Sequence, residues 1–296
     1  MTDWLEEIPF GYQKSILTAI RQALAEDIGS GDLTTLATVS AEVIGTGTFT
    51  VKSDGVIAGL AVVGLVFQEL DPTIHFVPKV ADGEQVTAGT VIATIDGSAI
   101  NLLSGERTAL NFLQRMSGIA TYTNDLILKI THTHCKLLDT RKTAPGLRMS
   151  DKWAVALGGG SNHRIGLFDM VMIKDNHIEM AGGISSAVTQ VRQFLATHHR
   201  DKKIAIEVEV KSMEELKEAL KLNLDRIMLD NMDIDTLCRA VKLTRGTIPL
   251  EASGNITSDT IQKVAETGVD YISSGALTHS VKALDISFLL KLKKHQ

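Results

Sequence analysis

The first forty residues carry apolar side chains at helical spacing. Ile16, Ile20, Leu24 and Ile28 follow one another at intervals of four residues, which places them on one face of an α-helix. The turn-rich sequence DIGSGDLTT comes next and predicts that the helix ends there. We therefore predict an amphipathic helix followed by a turn.

A shorter period takes over between residues 42 and 102. The sequences EVIGTGTFTV, HFVPKV and GTVIATI predict short strands, and SDG, DPT, ADG and DGS mark turns between them. One helix is expected near residues 60–70. The stretch VADGEQVTAGTVIATIDG resembles half of a lipoyl or biotinyl carrier sandwich, but it has no lysine to modify. We expect a structural sandwich and not a carrier.

The second half alternates strands with helices or loops. Six β-like segments, each followed by a helical or loop stretch, lie at residues 136–142, 170–176, 203–210, 225–231, 248–254 and 271–275. This alternation is typical of parallel βα units. Six units are too few for a closed eight-stranded barrel, so an incomplete barrel and an open doubly wound sheet both remain.

Polar or very small residues end each of these six segments. They include Arg141 and Lys142, Lys174 and Asn176, Glu207 and Glu209, Asp230 and Asn231, Ser253 and Gly254, and Ser273 to Gly275. Parallel strands bring their carboxyl ends to one face, where barrel enzymes build active sites. The pattern favours a functional face over chance solvation of strand ends.

Composition and charge restrict the possible ligands. The chain has 296 residues, 44% of them apolar, and a formal net charge of −5, which argues against a broad nucleic-acid or anionic-membrane surface. The apolar run at residues 56–67 is too short to span a bilayer, and the N-terminus lacks the order of a signal peptide. Two cysteines without metal spacing indicate a reducing, cytoplasmic compartment.

Residues 139–177 form a local basic cluster of six cationic and four acidic side chains. Arg141, Lys142 and Lys174 lie at predicted strand ends and favour ligand roles, because arginine and lysine suit carboxylate and phosphate groups. Arg148 and Lys152 are expected to be solvated helix charges. His163 and Arg164 follow the glycine-rich GGGSN, whereas His177 could be a ligand or a turn residue. A small ligand with more than one anionic group fits this cluster.

Acidic and small residues complete the predicted face. Glu207 and Asp230 are expected to project to one rim, where paired oxygens suit Mg²⁺ or a sugar diol, and Glu209 could assist. Ion pairing of these carboxylates with Lys174 or Lys142 is the alternative. The sequences EASGN and SSGALTHS follow the last two strands and predict a phosphate site built from main-chain N–H groups.

Seven motifs in order resemble quinolinate phosphoribosyltransferase: GERTALN, DTRKTAPGLR, GGGSNHRIGLFDMVMIKDNH, EVEV, LDN, EASGN and GALTHS. The resemblance runs from ALAEDIGSGDLTT onwards. It implies an α/β protein of the type II phosphoribosyltransferase fold. An N-terminal α/β sandwich domain, residues 1–115 joined by 277–296, would precede an incomplete six-stranded α/β barrel at 116–276. It also implies a homodimer or higher oligomer, in which one subunit's N-terminal domain covers the other's barrel.

The implied reaction joins quinolinate to the ribosyl group of phosphoribosyl pyrophosphate, with loss of pyrophosphate and CO₂, and gives nicotinate mononucleotide for NAD synthesis. By match to the motifs, Lys142, Lys174, Glu207 and Asp230 would be catalytic, and Glu207 and Asp230 would also hold Mg²⁺ and the ribose hydroxyls. The implied substrate-binding residues further include Arg107, Thr140, Arg141, His163, Arg164, Ser253, Gly254, Asn255, Ser274, Gly275 and Ala276. Asn255 stands where many relatives carry glycine.

Two other functions remain open at this point. A relative in the same fold could act on another nitrogenous acceptor, as the molybdenum-transport-associated homologues do. A non-catalytic sensor could bind phosphoribosyl pyrophosphate at the barrel rim without turnover. The several cations, matched to a dicarboxylate, favour quinolinate.

Overall fold

The computed structural model describes residues 3–199 and 202–293. The strands are β1 (Ile44–Val51), β2 (Gly55–Val56), β3 (His75–Pro78), β4 (Gln85–Val86), β5 (Val91–Ser98), β6 (Lys136–Leu138), β7 (Val171–Ile173), β8 (Ile206–Val210), β9 (Arg226–Asp230), β10 (Leu250–Ser253), β11 (Tyr271–Ser273) and β12 (Ile286–Leu292). All six segments predicted in the second half form strands.

The helices are α1 (Phe10–Ile28), α2 (Leu33–Thr38), α3 (Leu60–Leu70), α4 (Ala99–Leu128), α5 (Arg148–Leu157), α6 (Asp175–Ala181), α7 (Ile184–His198), α8 (Met213–Ala219), α9 (Ile234–Thr244), α10 (Ile261–Glu266) and α11 (Ala276–His279). The helices predicted near residues 16–28 and 60–70 are confirmed. Within the described residues, no helix combines the length and the apolar content that a membrane span requires.

The chain folds into two compact units. The first comprises the described residues of 1–124, 143–159 and 277–296, and the second comprises 125–142 and 160–276. The sequence-based boundary between residues 115 and 116 falls inside α4. The same prediction assigned residues 143–159 to the barrel. In the structure α5 belongs to the first unit, where it contacts α1, and its residues 150–155 are buried.

An antiparallel sheet in the order β12-β1-β5-β3 forms the first unit's core. Alternate residues of β1 are buried, as a half-buried strand requires. Phe49 projects into the core, and its ring lies 4.7 Å from Phe288, 6.1 Å from Phe76 and 6.5 Å from Phe67. The nearly all-apolar first two turns of α3 are buried throughout, as expected of a helix with no polar face.

The second unit is a six-stranded parallel sheet in the order β6-β11-β10-β9-β8-β7. Its first strand pairs with its last, and each strand from β7 to β11 pairs with the next. Within the described residues, no ladder joins β6 to β7. This cyclic order with one gap is an incomplete barrel, and it rules out the doubly wound alternative, whose order reverses in the middle of the sheet.

Gly118 of α4 allows close packing against the C-terminal segment. A Cβ atom at this position would lie 2.2 Å from the main-chain oxygen of Lys282. The backbone at Lys282 would have to shift to relieve this clash, which is more difficult than a movement of a flexible side chain. We expect Gly118→Ala to lower the free energy of unfolding by about 1 to 3 kcal/mol, the usual cost of overpacking, in urea denaturation. Gly11→Ala in α1 meets no atom within 4 Å and should be neutral or stabilising. Equal stability of the two variants would contradict this packing.

Candidate active site at the carboxyl ends of the barrel strands

The strand register sets the height of each polar side chain in the barrel. Glu207 pairs with Met172 and Arg226, one layer below Glu209, which pairs with Met228. Asp230 pairs with Ser253, and Ser253 pairs with Ser273, at the carboxyl ends of their strands. Alternate residues of a strand share a face, so these layers line the same face of the sheet. Asp230 therefore lies at the rim, four residues beyond the Glu207 layer.

A buried charge cluster fills the lower layers. His163 Nε2 lies 3.1 Å from Glu207 Oε2 and 3.4 Å from Glu251 Oε2. Arg226 Nη1 donates to Glu251 Oε2 at 2.7 Å, and its guanidinium lies 4.0 Å above the ring centroid of Tyr271. Both carboxylates are fully buried. Two acids facing two bases can form an electrically neutral cluster, which a low-dielectric interior requires.

The cluster retains a proton to high pH. Burial alone would lower the pKa of His163, but its hydrogen bonds to Glu207 and Glu251 outweigh burial and raise that pKa to about 9. The main-chain N–H of Arg164 points at His163 Nδ1 (2.6 Å), which opposes a proton on that atom. Burial and the charge of Glu251 also raise the pKa of Glu207, so one proton is shared by the His163–Glu207 pair.

The expectation that Glu207 and Asp230 meet at one rim is wrong. Four residues of strand separate Asp230 from the Glu207 layer, or about 13 Å, and Glu207 is fully buried against His163. The alternation of side chains along β8 predicted the face of the sheet on which Glu207 lies, but not its distance from the rim. His163 is itself only 8% exposed. Its imidazole binds interior carboxylates, which leaves no Nε2 donor for a substrate carboxylate.

Asp139 is a site residue that sequence reasoning did not single out. Its carboxylate is fully buried and accepts from the main-chain N–H of His163 and from Asn162 Nδ2, both at 2.8 Å. Leu138 also forms a β-bridge with Ser161. These bonds attach the segment that carries His163 and Arg164 to the end of β6. An acid two residues before the basic pair Arg141–Lys142, at the end of a predicted strand, was the available signal.

Arg141 and Arg164, two of the predicted quinolinate-binding residues, lie close to each other. Burial, and next the positive charge of Arg141, lower the pKa of Arg164. Two guanidinium groups that repel each other favour an anion between them. Arg164 also lines a cleft of about 440 Å³ whose other walls include Met170, Met172 and Met180. The arrangement suits a ligand with both anionic groups and an apolar surface.

Lys174 is ion-paired with Glu209, which is the alternative that the sequence left open for the strand-end carboxylates. Its main-chain N–H donates to His177 Nδ1 at 3.0 Å, so His177 serves as a turn residue at the start of α6. Lys142, on the loop after β6, is exposed, and its main-chain N–H donates to Thr140 Oγ1 at 3.0 Å.

The two predicted phosphate loops differ in their backbone geometry. Gly254 and Asn255 have φ angles of 101° and 52°, and Asn255 Nδ2 donates to Asn231 Oδ1 at 3.3 Å. A side chain at position 254 would lie 2.1 Å from that same oxygen, so glycine is required there. In the second loop the N–H of Ser274 donates to Leu138 O, so this donor is already used within the barrel.

Carboxylates that could hold a divalent cation lie at the rim. The ammonium of Lys211 donates to Asp175 at 2.6 Å, and this hydrogen bond, followed by the charges of Asp175, Asp230 and Glu209, raises its pKa. Among the described residues, the group of acids and histidines close enough to share a cation is His163, Glu207 and Glu251, which is buried. Asp230 lies outside that group, at the rim, and carboxylate oxygens are the ligands that Mg²⁺ prefers. Glu209 is the glutamate of β8 that lies nearer the rim.

In the first unit, α4 carries Arg107 and Asn111, which are both exposed. Arg115 lies at helical spacing from these two residues, a pattern that by itself predicts a solvated stripe, but it is not solvated in that way. Its guanidinium pairs with the buried carboxylate of Asp151 at 2.8 Å. Lys152 was predicted to be a solvated helix charge and is instead fully buried.

The shared proton predicts a pH-dependent contribution to stability. Because the pKa of His163 rises from 6.5 to about 9 on folding, its contribution is complete below pH 6.5 and is lost as the pH rises through about 9. Thermal unfolding of wild type and His163→Gln should therefore differ most at pH about 6 and least at pH about 9.5.

His75→Gln, at an exposed position of β3, is the matched control and should follow the wild-type pH profile. A difference between wild type and His163→Gln that is constant or increases with pH would show that the cluster does not retain the proton.

Two family models match this chain, one after the other. The model described as quinolinate phosphoribosyl transferase, N-terminal domain, matches residues 32–117, and the C-terminal domain model of the same family matches residues 119–289. The match covers both units that the structure contains.

Similar proteins agree with these models. The chloroplastic nicotinate-nucleotide pyrophosphorylase (carboxylating) of Oryza sativa subsp. japonica is 50% identical over 284 residues, which cover 90% of this chain and 76% of that protein. A probable nicotinate-nucleotide pyrophosphorylase (carboxylating) of Synechocystis is 46% identical over 90% of each chain. The crystal structure of NadC from Streptococcus pyogenes superposes with a TM-score of 0.88 at 39% identity, over 93% of this chain and 96% of that one. The chain therefore belongs to the quinolinate phosphoribosyltransferase family.

Proposed function

We propose that this chain transfers the phosphoribosyl group of phosphoribosyl pyrophosphate to quinolinate. The products are nicotinate mononucleotide, pyrophosphate and CO₂, and the reaction belongs to NAD biosynthesis. The observation that carries the proposal is the mutual proximity of Arg141 and Arg164 beside an apolar cleft. Quinolinate has two adjacent carboxylates on a flat aromatic ring, so it matches both properties.

In this proposal the basic residues bind and orient the two substrates. Arg141 and Arg164 hold the quinolinate carboxylates, and Lys142 and Lys174 bridge quinolinate and the pyrophosphate. The 5′-phosphate is held at Ser253 to Asn255 and at Ser274 to Ala276. His163 does not bind a quinolinate carboxylate in this proposal, because its ring is bonded to Glu207 and Glu251. Its role is to fix the position of the next residue, Arg164.

The chemistry needs charge stabilisation and no general base. Departure of pyrophosphate leaves positive charge on the ribose, and in this proposal the rim carboxylate of Asp230 stabilises that charge, together with Glu209. The pyridine nitrogen is already a nucleophile. Once this nitrogen is quaternised, the C–CO₂⁻ bond next to it breaks and CO₂ leaves. The electron pair stays on the ring carbon, stabilised by the positive nitrogen, and that carbon then takes up a proton from water.

A magnesium ion at Asp230 and the neighbouring rim carboxylates is part of the proposal. When bound there, it would neutralise charge on the pyrophosphate leaving group. Glu207 is omitted from this ligand set because it is buried beneath the rim. We also propose a cytoplasmic location, supported by two free cysteines, Cys135 and Cys238; plant relatives carry the words chloroplastic or mitochondrial in their names.

Measurement of CO₂ release tests the function and the anion site together. Wild type should release CO₂ from quinolinate only when phosphoribosyl pyrophosphate is present, and should release none from nicotinate, which lacks the second carboxylate. Arg141→Ala should weaken quinolinate binding by about 2 to 5 kcal/mol, the usual effect of removing one partner of a buried charge pair.

Arg239→Ala, an exposed arginine of α9, is the control and should bind quinolinate as wild type does. Binding of phosphoribosyl pyrophosphate without turnover of either acid would favour the sensor. Wild-type affinity of Arg141→Ala would remove the arginine pair from the binding site.

We further propose a homodimer whose active sites are shared between subunits. Arg107 is exposed on α4, and in this proposal it reaches the partner's barrel, which supplies Lys142. Arg107→Ala and Lys142→Ala should each be inactive alone. After dissociation and reassociation together, a mixed dimer has one site with both lesions and one with neither, so random pairing should restore about a quarter of wild-type activity.

The control is each variant dissociated and reassociated with itself, which should stay inactive. Subunit exchange that is verified with a tagged chain but restores no activity would exclude a shared site.

A further inference from the structure

Arg115 and Asp151 form a buried, two-bonded ion pair between α4 and α5 in the first unit. Arg115 Nε donates to Asp151 Oδ1 and Nη2 donates to Oδ2, both at 2.8 Å. The side chain of Asp151 is fully buried and that of Arg115 is 26% exposed. Paired, parallel hydrogen bonds of this kind fix direction as well as distance.

The same two side chains also bond to the main chain of two loops. Asp151 Oδ2 accepts from the N–H of Ala144 at 3.2 Å, and Arg115 Nη2 donates to the carbonyl of Thr278 at 3.1 Å. Ala144 lies two residues after Lys142, and Thr278 lies two residues after Ala276. One ion pair thus anchors the chain beside the proposed pyrophosphate-binding lysine and the chain beside the proposed phosphate loop.

Helix packing alone does not require charges at this position. A buried ion pair costs desolvation that its attraction barely repays, and apolar residues of similar volume usually give equal or greater stability. What apolar side chains cannot supply is the acceptor for Ala144 N–H and the donor for Thr278 O. The distinctive contribution of the pair is therefore its bonds to the two loops.

We infer that Arg115 and Asp151 are positioning residues for phosphoribosyl transfer. They hold the segment after β6 and the segment at α11 in fixed register, so that Lys142 and the loop of Ser274 to Ala276 bind one substrate molecule at the same time. The inference rests on the proposed roles of those residues. It assigns neither Arg115 nor Asp151 a contact with substrate.

The double variant Arg115→Met/Asp151→Leu separates positioning from stability. It replaces the ion pair with apolar side chains, so the midpoint of thermal unfolding should stay equal to wild type or rise. Both loop bonds are lost, and we expect kcat/KM to fall by about 10- to 100-fold, the scale of a small misplacement of reacting groups. The KM values for quinolinate and for phosphoribosyl pyrophosphate should both rise.

A second variant covers the case in which the double variant fails to fold. Arg115→Lys keeps the charge but cannot make all three bonds of the guanidinium, so it should show a smaller loss of kcat/KM with both KM values still raised. Arg21→Ala/Glu69→Ala removes an exposed ion pair of the same unit and should retain wild-type kinetics.

The outcomes are distinct. A stable double variant with wild-type KM values for both substrates, or an Arg115→Lys variant whose kinetics equal those of wild type, would overturn the positioning role. Lack of CO₂ release from quinolinate by wild type would overturn the proposed function instead.

Discussion

Charge balance inside the barrel is the constraint on which the site depends. Glu207 and Glu251 are fully buried, and an uncompensated carboxylate in such surroundings would be very costly. Arg226 and His163 supply the compensation. His163 therefore has to stay inside the barrel, and this fixes the position of its chain neighbour Arg164. The interior cluster and the anion site are thus linked through consecutive residues of the chain.

The anion site formed by Arg141 and Arg164 carries net positive charge, whereas the interior cluster is neutral. Arg141 and Arg164 repel each other, while Asp139 binds the loop that carries Arg164 through main-chain contacts. An anion bound between two like charges reduces their repulsion. A preorganised binding site keeps its groups in place before the ligand arrives, which reduces the ordering cost of binding.

The sequence predicted the positions of the barrel strands well, because strands follow from local patterns. Each of the six apolar runs contains a strand, although the strands are shorter than the predicted segments. The distance of each carboxylate from the rim was harder to predict. Glu207 precedes Glu209 in β8 and is therefore farther from the carboxyl end, but only the pairing of β8 with β9 places Glu207 beside Arg226, four residues before Asp230.

Long-range partners were equally inaccessible from the pattern. Arg115 lies at helical spacing from the exposed Arg107 and Asn111, a pattern typical of a solvated stripe. Instead it donates to Asp151, a residue of another helix. His163 followed a glycine-rich loop and was expected to face a ligand, but the two acids that bind it come from separate strands. In each case a buried counter-charge overrode a local signal, since burial of a charge demands a partner wherever the chain can provide one.

The connectivity of both sheets also has a consequence for how the chain folds. In the first unit β1 pairs with β12 near the chain's end, and in the second β6 pairs with β11, the last barrel strand. Neither sheet can form all its ladders until late segments have left the ribosome. Pairings between such distant segments have a large loop-closure cost and form slowly. During synthesis one long edge of β1 therefore stays open, and a nascent chain of this topology depends on that edge remaining unaggregated until β12 arrives.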